Sequence, residues 1–366
     1  MARTGVKKPR ISVVLPVTHA GQSIARTIES IQNQSFREFE LLVVEEGSSR
    51  YEISFARRAA EHDIRIEVLE RSANKTLVQA GVLAARASQI MVMEAGDWIG
   101  PDFLQAQLVA EASSRPSVTV PAAEGLDNPS APGLHVLVPE RVSQHAQTDR
   151  DVHTRALPSR PHTDVQHARQ AFMELIASGM LNQGTGVLMP AAAAQQAAEQ
   201  GAADAFELLV AVAQNLDSLS LVHDARYNDG VMQRKPVRFD AELYGRCERH
   251  HMLLADLVAR WDLLDDPATV EALHRHHLLD VISCIENACA PTAALTAPER
   301  RRLVQRMIDT ASTRISIEKL RSSSREFGPM FGAIACRSVL ACCMGAWIHG
   351  LTERFFTPFS LEGSPA

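Results

Sequence analysis

Acidic side chains follow two predicted strands at the points where those strands end. Glu45 and Glu46 close the apolar run 39–44, and Glu94 and Asp97 follow the run 89–93. Carboxylates at strand ends can hydrogen-bond a ribose or a base edge, and a pair of them can hold a divalent cation against a diphosphate. The spacing therefore predicts a nucleotide site, although a solvated strand end is the alternative for Glu45 and Glu46.

A second acidic group opens a later helix. Asp204 and Glu207 lie at the start of the apolar helical pattern 206–214. Either carboxylate would act as a general base if it lay within hydrogen-bond reach of an acceptor hydroxyl. Asp204 also suits the N-cap position of that helix, where a side-chain oxygen accepts a backbone N–H, and we favour that role for it.

Short β-branched runs alternate with helical patterns over the first two thirds of the chain. This alternation predicts an α/β fold, in which helices cover both faces of a mostly parallel sheet. Ligands of such sheets bind outside the carboxyl ends of the strands, which is where the acidic residues lie. The predicted strands are 11–15, 39–44, 64–69, 89–93, 117–120, 134–138, 186–189 and 219–223; the predicted helices are 22–33, 51–61, 76–86, 101–112, 165–178, an Ala-rich helix ending at 199, and 206–214.

The alternation stops near Pro236, and long helical patterns follow at 241–264, 267–287, 297–312 and 331–354. We therefore divide the chain into a basic tail (1–9), an α/β domain (10–235) and an all-helical C-terminal extension (236–366). Within the α/β domain we separate residues 10–122 from residues 123–235; the family resemblance described below implies that the first half binds the nucleotide and the second half binds the acceptor. Segments 124–132 and 143–167 are rich in Pro, Ser, His and Asp, which is typical of loops.

Composition excludes several classes of protein. A hydrophobic content of 46% is too high for a mainly disordered chain, and a net charge of −6 argues against nucleic acid as the main partner. No apolar signal segment precedes Ile11, so we expect a cytoplasmic protein. The six cysteines have neither a C-x-x-C pair nor zinc-like spacing, which favours reduced thiols.

The C-terminal segment 331–356 offers two interpretations. It is strongly apolar but carries Arg337 near the middle of its most apolar part, 331–348. A charge there opposes membrane spanning, so we predict a helix packed against the α/β domain. Peripheral contact with the inner face of the membrane is the alternative, with Trp347, Phe355 and Phe356 as interfacial anchors.

Histidines cluster at 250–251 and at 274–277 of the helical extension. His274 and His277 share one helix face, since they are three residues apart. Such a pair is compatible with a metal site. We expect a polar helix surface instead, because no third ligand has a known position.

Motifs in residues 10 to 115 resemble those of inverting family 2 glycosyltransferases. The family typically reads strand-Pro-x-Tyr-Asn, then Ser-x-x-x-Gln-Ser/Thr, then Val-Asp-Asp-Gly-Ser. This chain has Pro16, then Ser30 with Gln34, then Val-Glu-Glu-Gly-Ser at 44–48; Gln-Ala-Gly-Val at 79–82 and the segment 94–103 continue the match. The resemblance implies a GT-A fold, which is Rossmann-like, and a nucleotide-diphosphate sugar as donor. Its implied donor contacts are Pro16, Glu45, Glu46, Lys75, Glu94 and Asp97.

The chain departs from the family at positions whose side chains bind the metal ion or the diphosphate. In the Asp-x-Asp metal motif, Glu94 takes the first position and Gly96, which offers no ligand, takes the second. An Mg²⁺ or Mn²⁺ site at Glu94 and Asp97 is left open. Val78 takes the place of an arginine beside the diphosphate, for which Lys75 is either a substitute or a solvated helix-start residue.

The position of the family's catalytic Asp is taken by Ala205, so activity would require Asp204 or Glu207 as the base. Two functions remain. The first is an enzyme that transfers a sugar with inversion to a hydroxyl of a glycan or another acceptor, in bacterial surface or secondary glycan synthesis. The second is a catalytically impaired module that binds a nucleotide, a glycan or a protein. We place the enzyme first.

Overall fold

The computed structural model describes residues 8–17, 24–46, 50–114, 134–142, 164–181, 183–228 and 239–355. Contacts divide the chain into two units, Met1–Gln233 with Leu257–Asp262, and Arg234–Asp256 with Leu263–Ala366. The first unit contains strands β1 (Ile11–Val17), β2 (Phe39–Glu45), β3 (Ile66–Glu70), β4 (Gln89–Val92), β5 (Trp98–Ile99), β6 (Leu134–Val142), β7 (Met189–Pro190) and β8 (Leu216–Asn228). Its helices are α1 (Ile24–Gln32), α2 (Arg50–His62), α3 (Leu77–Ala84), α4 (Phe103–Ser114), α5 (Val165–Ala177), α6 (Ala191–Glu199) and α7 (Ala205–Ala213).

The main sheet of the first unit has the strand order β3-β2-β1-β4-β7. The first four strands are parallel, and β7 joins β4 in the antiparallel direction. Every described residue of β2 is buried, as expected for a strand covered on both faces. This arrangement confirms the predicted mostly parallel sheet.

The register brings the ends of three strands together. Val17 at the end of β1 pairs with Glu45 at the end of β2, and Glu45 pairs with Glu70 at the end of β3. Val17, Glu45 and Glu70 therefore mark the edge of the sheet at which the parallel strands end, and we call it the carboxyl edge. The acidic residues 45 and 46 lie on it, as the alternation of strands and helices predicts.

A second, three-stranded sheet has the order β5-β8-β6. Its short strand β5 follows the segment 94–97 and pairs with the end of β8, where Ile99 is opposite Tyr227. The Tyr227 ring is fully buried and lies 6.1 Å from the Phe103 ring of α4. The end of β8 therefore supports the residues that follow β4.

Gln34 fixes the chain between α1 and α4. Its side chain is fully buried, donates to the carbonyls of Ser30 and Gly100, and accepts from the backbone N–H of Leu104. Since every polar atom of this amide has a partner, Gln34 has a structural role in the motif that carries the resemblance.

Several boundaries in the first unit differ from the predicted ones. The predicted strand 219–223 is part of the longer β8, and the strand predicted at 186–189 is shorter and begins at Met189. The predicted strand 117–120, the segments 124–132 and 143–163, and residues 1–7 of the basic tail lie outside the described residues.

The second unit is helical where the structure describes it, which confirms the predicted helical C-terminal region. Its helices are α8 (Leu243–Arg260), α9 (Pro267–Cys289), α10 (Ala297–Asp309), α11 (Ala311–Lys319), a 3₁₀ turn (Ser324–Phe327), α12 (Gly328–Ala335) and α13 (Val339–Phe355). The last residues of α8, from Leu257, are assigned to the first unit. Their apolar faces form a separate core that includes Leu278, Cys284, Val304 and Ile334. None of the helices in the described part of the chain combines the length and the apolar character needed to cross a membrane.

Two long helical patterns are interrupted, which corrects the predicted single helices 297–312 and 331–354. The first breaks at Thr310. The second breaks at Arg337, whose φ of 55° is left-handed. There the N–H of Ser338 bonds to the carbonyl of Ala333 and that of Arg337 to the carbonyl of Ile334, which is a Schellman motif.

The histidines of α9 are buried, so the predicted polar helix surface is wrong for them. His277 is fully buried, with Nδ1 at 2.8 Å from the Ser316 hydroxyl and Nε2 at 3.1 Å from a Glu248 carboxylate oxygen. His274 Nδ1 lies 3.0 Å from the same hydroxyl, and the His251 ring stacks on His277 at 4.0 Å. His274 and His277 can lie inside the unit because Ser316 and Glu248 supply their hydrogen-bond partners.

Candidate donor site at the carboxyl edge

Glu45 is the last residue of β2, and its side chain is nearly buried. A carboxylate oxygen lies 2.7 Å from the Arg57 guanidinium of α2, which is itself mostly exposed. Pro16, in the neighbouring β1, pairs in register with Val44 and is half-buried. The contact with Arg57 therefore holds the Glu45 carboxylate on the face of the sheet that α2 covers. The neighbouring residue Val44 points to the opposite face, because successive residues of a strand alternate between faces.

Glu46 is exposed and lies beside a second arginine. The Arg71 guanidinium, directly after β3, approaches the Glu46 carboxylate at 3.3 Å. The same guanidinium donates to the carbonyl of Lys75 at 3.0 Å, while the Lys75 side chain is exposed. Glu46, Arg71 and Lys75 thus form one connected group between the end of β2 and the start of α3.

The start of α3 is anchored by its N-cap residue, Thr76. Its hydroxyl accepts the N–H of Gln79, and the Gln79 side chain accepts the N–H of Thr76, which is a capping box. The Thr76 hydroxyl also donates to the carbonyl of Ala203 at 2.6 Å. This bond places the chain just before Asp204 next to the chain just after Lys75.

Asp204 and Glu207 are both engaged at the start of α7. Asp204 is the N-cap, and its carboxylate accepts the N–H of Glu207 at 2.8 Å. The Glu207 side chain is buried and accepts the N–H of Ala203 at 2.7 Å. Asp204 therefore has the capping geometry expected from the sequence, and it is the less buried of the two carboxylates.

The segment after β4 places its two acids differently. Glu94 is exposed, whereas Asp97 is buried and accepts a hydrogen bond of 2.6 Å from the Tyr227 hydroxyl. Gly96, between them, has a φ of 104°, a conformation that side-chain-bearing residues rarely adopt. The glycine at the second position of the metal motif therefore follows from the backbone of this turn.

This donor set fits a divalent cation only in part. Mg²⁺ at nucleotide sites is commonly bound by one or two carboxylates together with phosphate oxygens. Glu94 suits that role at the surface, while Asp97 is directed into the core. An ion here would depend on the diphosphate of the ligand for the rest of its coordination.

The structure connects some candidate residues and separates others. Glu46 and Lys75 are linked through Arg71, and Lys75 lies beside the Asp204 segment through Thr76. Glu45 is paired with Arg57 of α2, and Asp97 is bonded to the buried Tyr227 of β8. Sequence reasoning missed Arg57, Arg71 and Thr76; the position of Arg71 two residues after the predicted strand 64–69 is the signal that would have identified it.

The family profile of "Glycosyl transferase family 2" matches residues 12–132. Residues 12–132 therefore match a family 2 glycosyltransferase domain. It is 28% identical over 105 residues to the Bacillus subtilis (strain 168) protein EpsH, which is assigned as a glycosyltransferase, and this match covers 28% of the chain and 30% of EpsH. An uncharacterised glycosyltransferase of Haemophilus influenzae is 28% identical over 103 residues, or 27% of the chain and 41% of that protein.

Solved structures extend the similarity of fold. Residues 1–349 of S. aureus TarS, in complex with UDP-GlcNAc, superpose with a TM-score of 0.58 at 12% identity, over 93% of this chain and 92% of that one. A second structure of TarS gives a TM-score of 0.54 over 91% of this chain and 54% of that one. The matched stretch spans less than half of the curated sequence relatives, so what is shared is the domain and its GT-A-like fold.

Proposed function

We propose that this protein transfers a sugar from a nucleoside-diphosphate sugar to an acceptor hydroxyl with inversion. The observation that carries the proposal is the bonded path from Glu46 through Arg71 and Lys75 to the start of α7, where Asp204 and Glu207 lie. A donor side and an acidic helix start are thereby adjacent in one domain of a glycosyltransferase family. TarS, which has the same fold, is known in complex with UDP-GlcNAc, which supports a donor of this class.

The chemistry assigns a role to each side of the site. Glu45, Glu46 and Pro16 would bind the nucleoside at the carboxyl edge, as strand-end carboxylates can hydrogen-bond ribose hydroxyls. The acceptor oxygen would attack the anomeric carbon as its bond to the diphosphate breaks, and the nucleoside diphosphate would leave. Asp204 would take the acceptor proton, because it is the less buried carboxylate at the start of α7.

A divalent cation, Mg²⁺ or Mn²⁺, is part of the proposal only together with the donor. Glu94 would hold it with the diphosphate oxygens, and it would neutralise charge on the leaving group. Asp97 would act indirectly, since its bond to Tyr227 fixes the turn that carries Glu94.

A binding module without catalysis is the second candidate. Three observations favour it: Ala205 at the expected position of the base, the left-handed Gly96 in the metal motif, and the commitment of Glu207 to a backbone bond. Calorimetric titration with UDP, GDP and TDP sugars, with and without Mn²⁺, separates the candidates. Binding followed by donor hydrolysis or transfer supports the enzyme, binding alone supports the module, and no binding to any donor contradicts the enzyme.

We also propose peripheral contact with an anionic membrane through α13. Leu340, Met344, Trp347 and Ile348 are each more than half exposed and share one helix face, since their spacing follows the helical period. The neighbouring helix α10, which packs against α13, exposes Arg301, Arg302 and Arg306. An exposed apolar stripe together with basic side chains on a neighbouring helix is compatible with interfacial binding, and a cytoplasmic site at the inner membrane face would suit it.

Vesicle co-sedimentation tests the membrane contact. The wild-type protein should sediment with vesicles containing phosphatidylglycerol and less with pure phosphatidylcholine. Trp347→Ser should reduce sedimentation, while Met252→Ser, at a similarly exposed apolar residue of α8, should leave it unchanged. Equal recovery in the supernatant with both vesicle types would contradict the proposal.

A further inference from the structure

We propose that the Arg71 guanidinium binds the diphosphate of the donor and supplies the fixed positive charge of the site. The inference rests on the proposed function, and it names a residue that neither the family resemblance nor the comparisons assign. Its basis is the position of Arg71, the state of its nitrogen atoms and the charge of the edge on which it lies.

Arg71 follows β3 at the carboxyl edge, where ligands of parallel sheets bind. Its backbone N–H bonds to the carbonyl of Glu45, so the residue continues the strand pairing and its backbone is held. The guanidinium is fixed between the Glu46 carboxylate at 3.3 Å and the Lys75 carbonyl at 3.0 Å. An arginine held in this way loses little side-chain entropy when it binds a ligand.

The guanidinium keeps unused hydrogen-bonding capacity. Its Nε atom is buried and has no hydrogen-bond partner, while 29% of the side chain is exposed. A buried donor without a partner carries a desolvation cost, which an incoming acceptor would relieve. Arginine presents its donors as a planar fork that matches phosphate oxygens, so a diphosphate is a suitable acceptor.

The carboxyl edge is negatively charged, so binding of a diphosphate there requires a cation such as the Arg71 guanidinium. Glu45, Glu46, Glu70 and Glu94 bring negative charge to the strand ends, which would repel a diphosphate. Arg57 is paired with the nearly buried Glu45 on the α2 side. Val78, in the first turn of α3, is buried and uncharged. Arg71 therefore lies between these carboxylates and the start of α3, where its guanidinium places a positive charge in a fixed position.

Lys75 is the alternative cation, but its geometry is less favourable. Its ammonium is on an exposed, flexible side chain, and the contact it makes with Arg71 is through its backbone carbonyl. Holding that side chain against a phosphate would cost more conformational entropy than using the positioned guanidinium.

Arg65 offers a matched control at the opposite end of the same strand. It precedes β3, pairs with Asp63 at 2.7 Å, donates to the carbonyl of Gln32, and also has one buried guanidinium nitrogen without a partner. Arg65→Met and Arg71→Met therefore remove the same groups on either side of β3. Only Arg71 lies at the carboxyl edge.

The experiment measures calorimetric affinities of the full chain for UDP, GDP, TDP and the corresponding monophosphates. For each diphosphate that binds the wild type, Arg71→Met and Arg71→Gln should raise Kd at least about tenfold, which corresponds to about 1.4 kcal/mol. Affinity for the monophosphate should change by less than about threefold, or roughly 0.7 kcal/mol. Arg65→Met should bind as the wild type does, and Lys75→Ala should lose less affinity than Arg71→Gln.

The outcomes distinguish the inference from the function on which it rests. If the wild type binds a nucleoside diphosphate and either folded Arg71 variant binds it equally well, Arg71 is not the diphosphate ligand and the proposed function stands. An equal loss for mono- and diphosphates would also overturn the assignment. If the wild type binds none of the three diphosphates, both proposals fall.

Discussion

Asp204 combines two properties that one substitution separates, the capping of α7 and the ability to accept a proton. Asparagine caps helices as well as aspartate does, but its amide is not a base at neutral pH. We therefore expect Asp204→Asn to lower donor hydrolysis or transfer by about 10²- to 10⁴-fold, the usual contribution of general-base catalysis. Donor affinity and melting temperature should be nearly unchanged, as measured by calorimetry and thermal unfolding.

The helical unit contains a matched control for this substitution. Asp266 caps α9 with the same geometry, accepting the N–H of Thr269 at 2.9 Å. Asp266→Asn should leave the rate intact. A wild-type rate in Asp204→Asn would exclude Asp204 as the base and leave Glu207 as the remaining candidate for that role.

Gly96 determines what the turn after β4 can carry. At a φ of 104° a side chain is strained, so Gly96→Ala and Gly96→Asp should each lower the free energy of unfolding by about 1 to 3 kcal/mol. Gly96→Asp should gain no affinity for Mn²⁺, because the strained residue does not restore the motif without moving the turn. Urea unfolding and Mn²⁺ titration measure both effects.

The control is a glycine in ordinary helical backbone. Gly245 lies in α8, and an added Cβ would meet only the Arg249 side chain, at 3.9 Å. Gly245→Ala should stabilise the protein by about 0.5 to 1 kcal/mol. Unchanged stability in both Gly96 variants would show that this turn adapts to a side chain.

At the scale of elements, the break between α12 and α13 carries its own strain. Arg337 adopts the left-handed conformation of a Schellman C′ position, which glycine occupies without a steric cost. Its contact with Asp309, at 3.7 Å, is exposed and contributes little. Arg337→Gly should therefore raise the melting temperature, with a gain in stability of up to about 1 kcal/mol.

Arg337→Ala serves as the comparison for that change, since it removes the same ion pair but keeps the Cβ. It should melt at or slightly below the wild-type temperature. If the alanine and glycine variants melted at the same temperature, the left-handed backbone would not be the source of the effect.

The ease with which each element is predicted from sequence depends on whether its signal is local. The β-branched runs of β1, β2 and β4 and the helices between them follow directly from periodicity. The breaks at Thr310 and Arg337 do not, because neither residue is a glycine or proline and the patterns continue across them. The burial of His274 and His277 was unpredictable for another reason, since Ser316 and Glu248 lie on other helices.

The residues of the candidate site likewise divide into those with a local sequence signal and those whose placement depends on distant parts of the chain. Strand-end carboxylates could be located because parallel strands end at one edge, and the cap at Asp204 because its residue type and position are local. The direction of Asp97 depends on Tyr227, which is 130 positions later in the chain. The link between Thr76 and Ala203 spans 127 positions. No local pattern specifies such pairs.

At the scale of the whole molecule, the buried imidazoles make stability depend on pH. Burial, with the neighbouring His277 adding to it, lowers the pKa of His251 to about 3 and that of His274 to about 4. Burial opposes ionisation of Glu248, but hydrogen bonds from His277 and Ser312 hold its pKa at about 2. Unfolded histidines protonate near pH 6.5, so the folded state binds fewer protons below that pH.

Stability should therefore be full above about pH 6.5 and fall as the pH approaches the folded pKa values. Each such histidine contributes a slope of about 1.4 kcal/mol per pH unit in that window. Hydrogen exchange of peptides from α9, measured at pH 8, 7, 6 and 5 and corrected for intrinsic rates, should report this loss.

The substitution His251→Gln should reduce the slope, because it removes one group that binds a proton on unfolding. His62→Gln, at an exposed residue of α2, is the control and should leave it unchanged. Equal stability of α9 from pH 8 to pH 5 would contradict the role of the buried histidines.

The antiparallel strand β7 also bears on how the chain folds as it is synthesised. The family profile ends at residue 132, yet the sheet gains its last strand only at Met189 and Pro190. Until those residues leave the ribosome, β4 is an open edge, and the Thr76 hydroxyl lacks its partner until Ala203 follows them. The first half of the domain must therefore wait, partly formed, through nearly a hundred residues of synthesis, roughly 5 to 20 seconds at ordinary elongation rates.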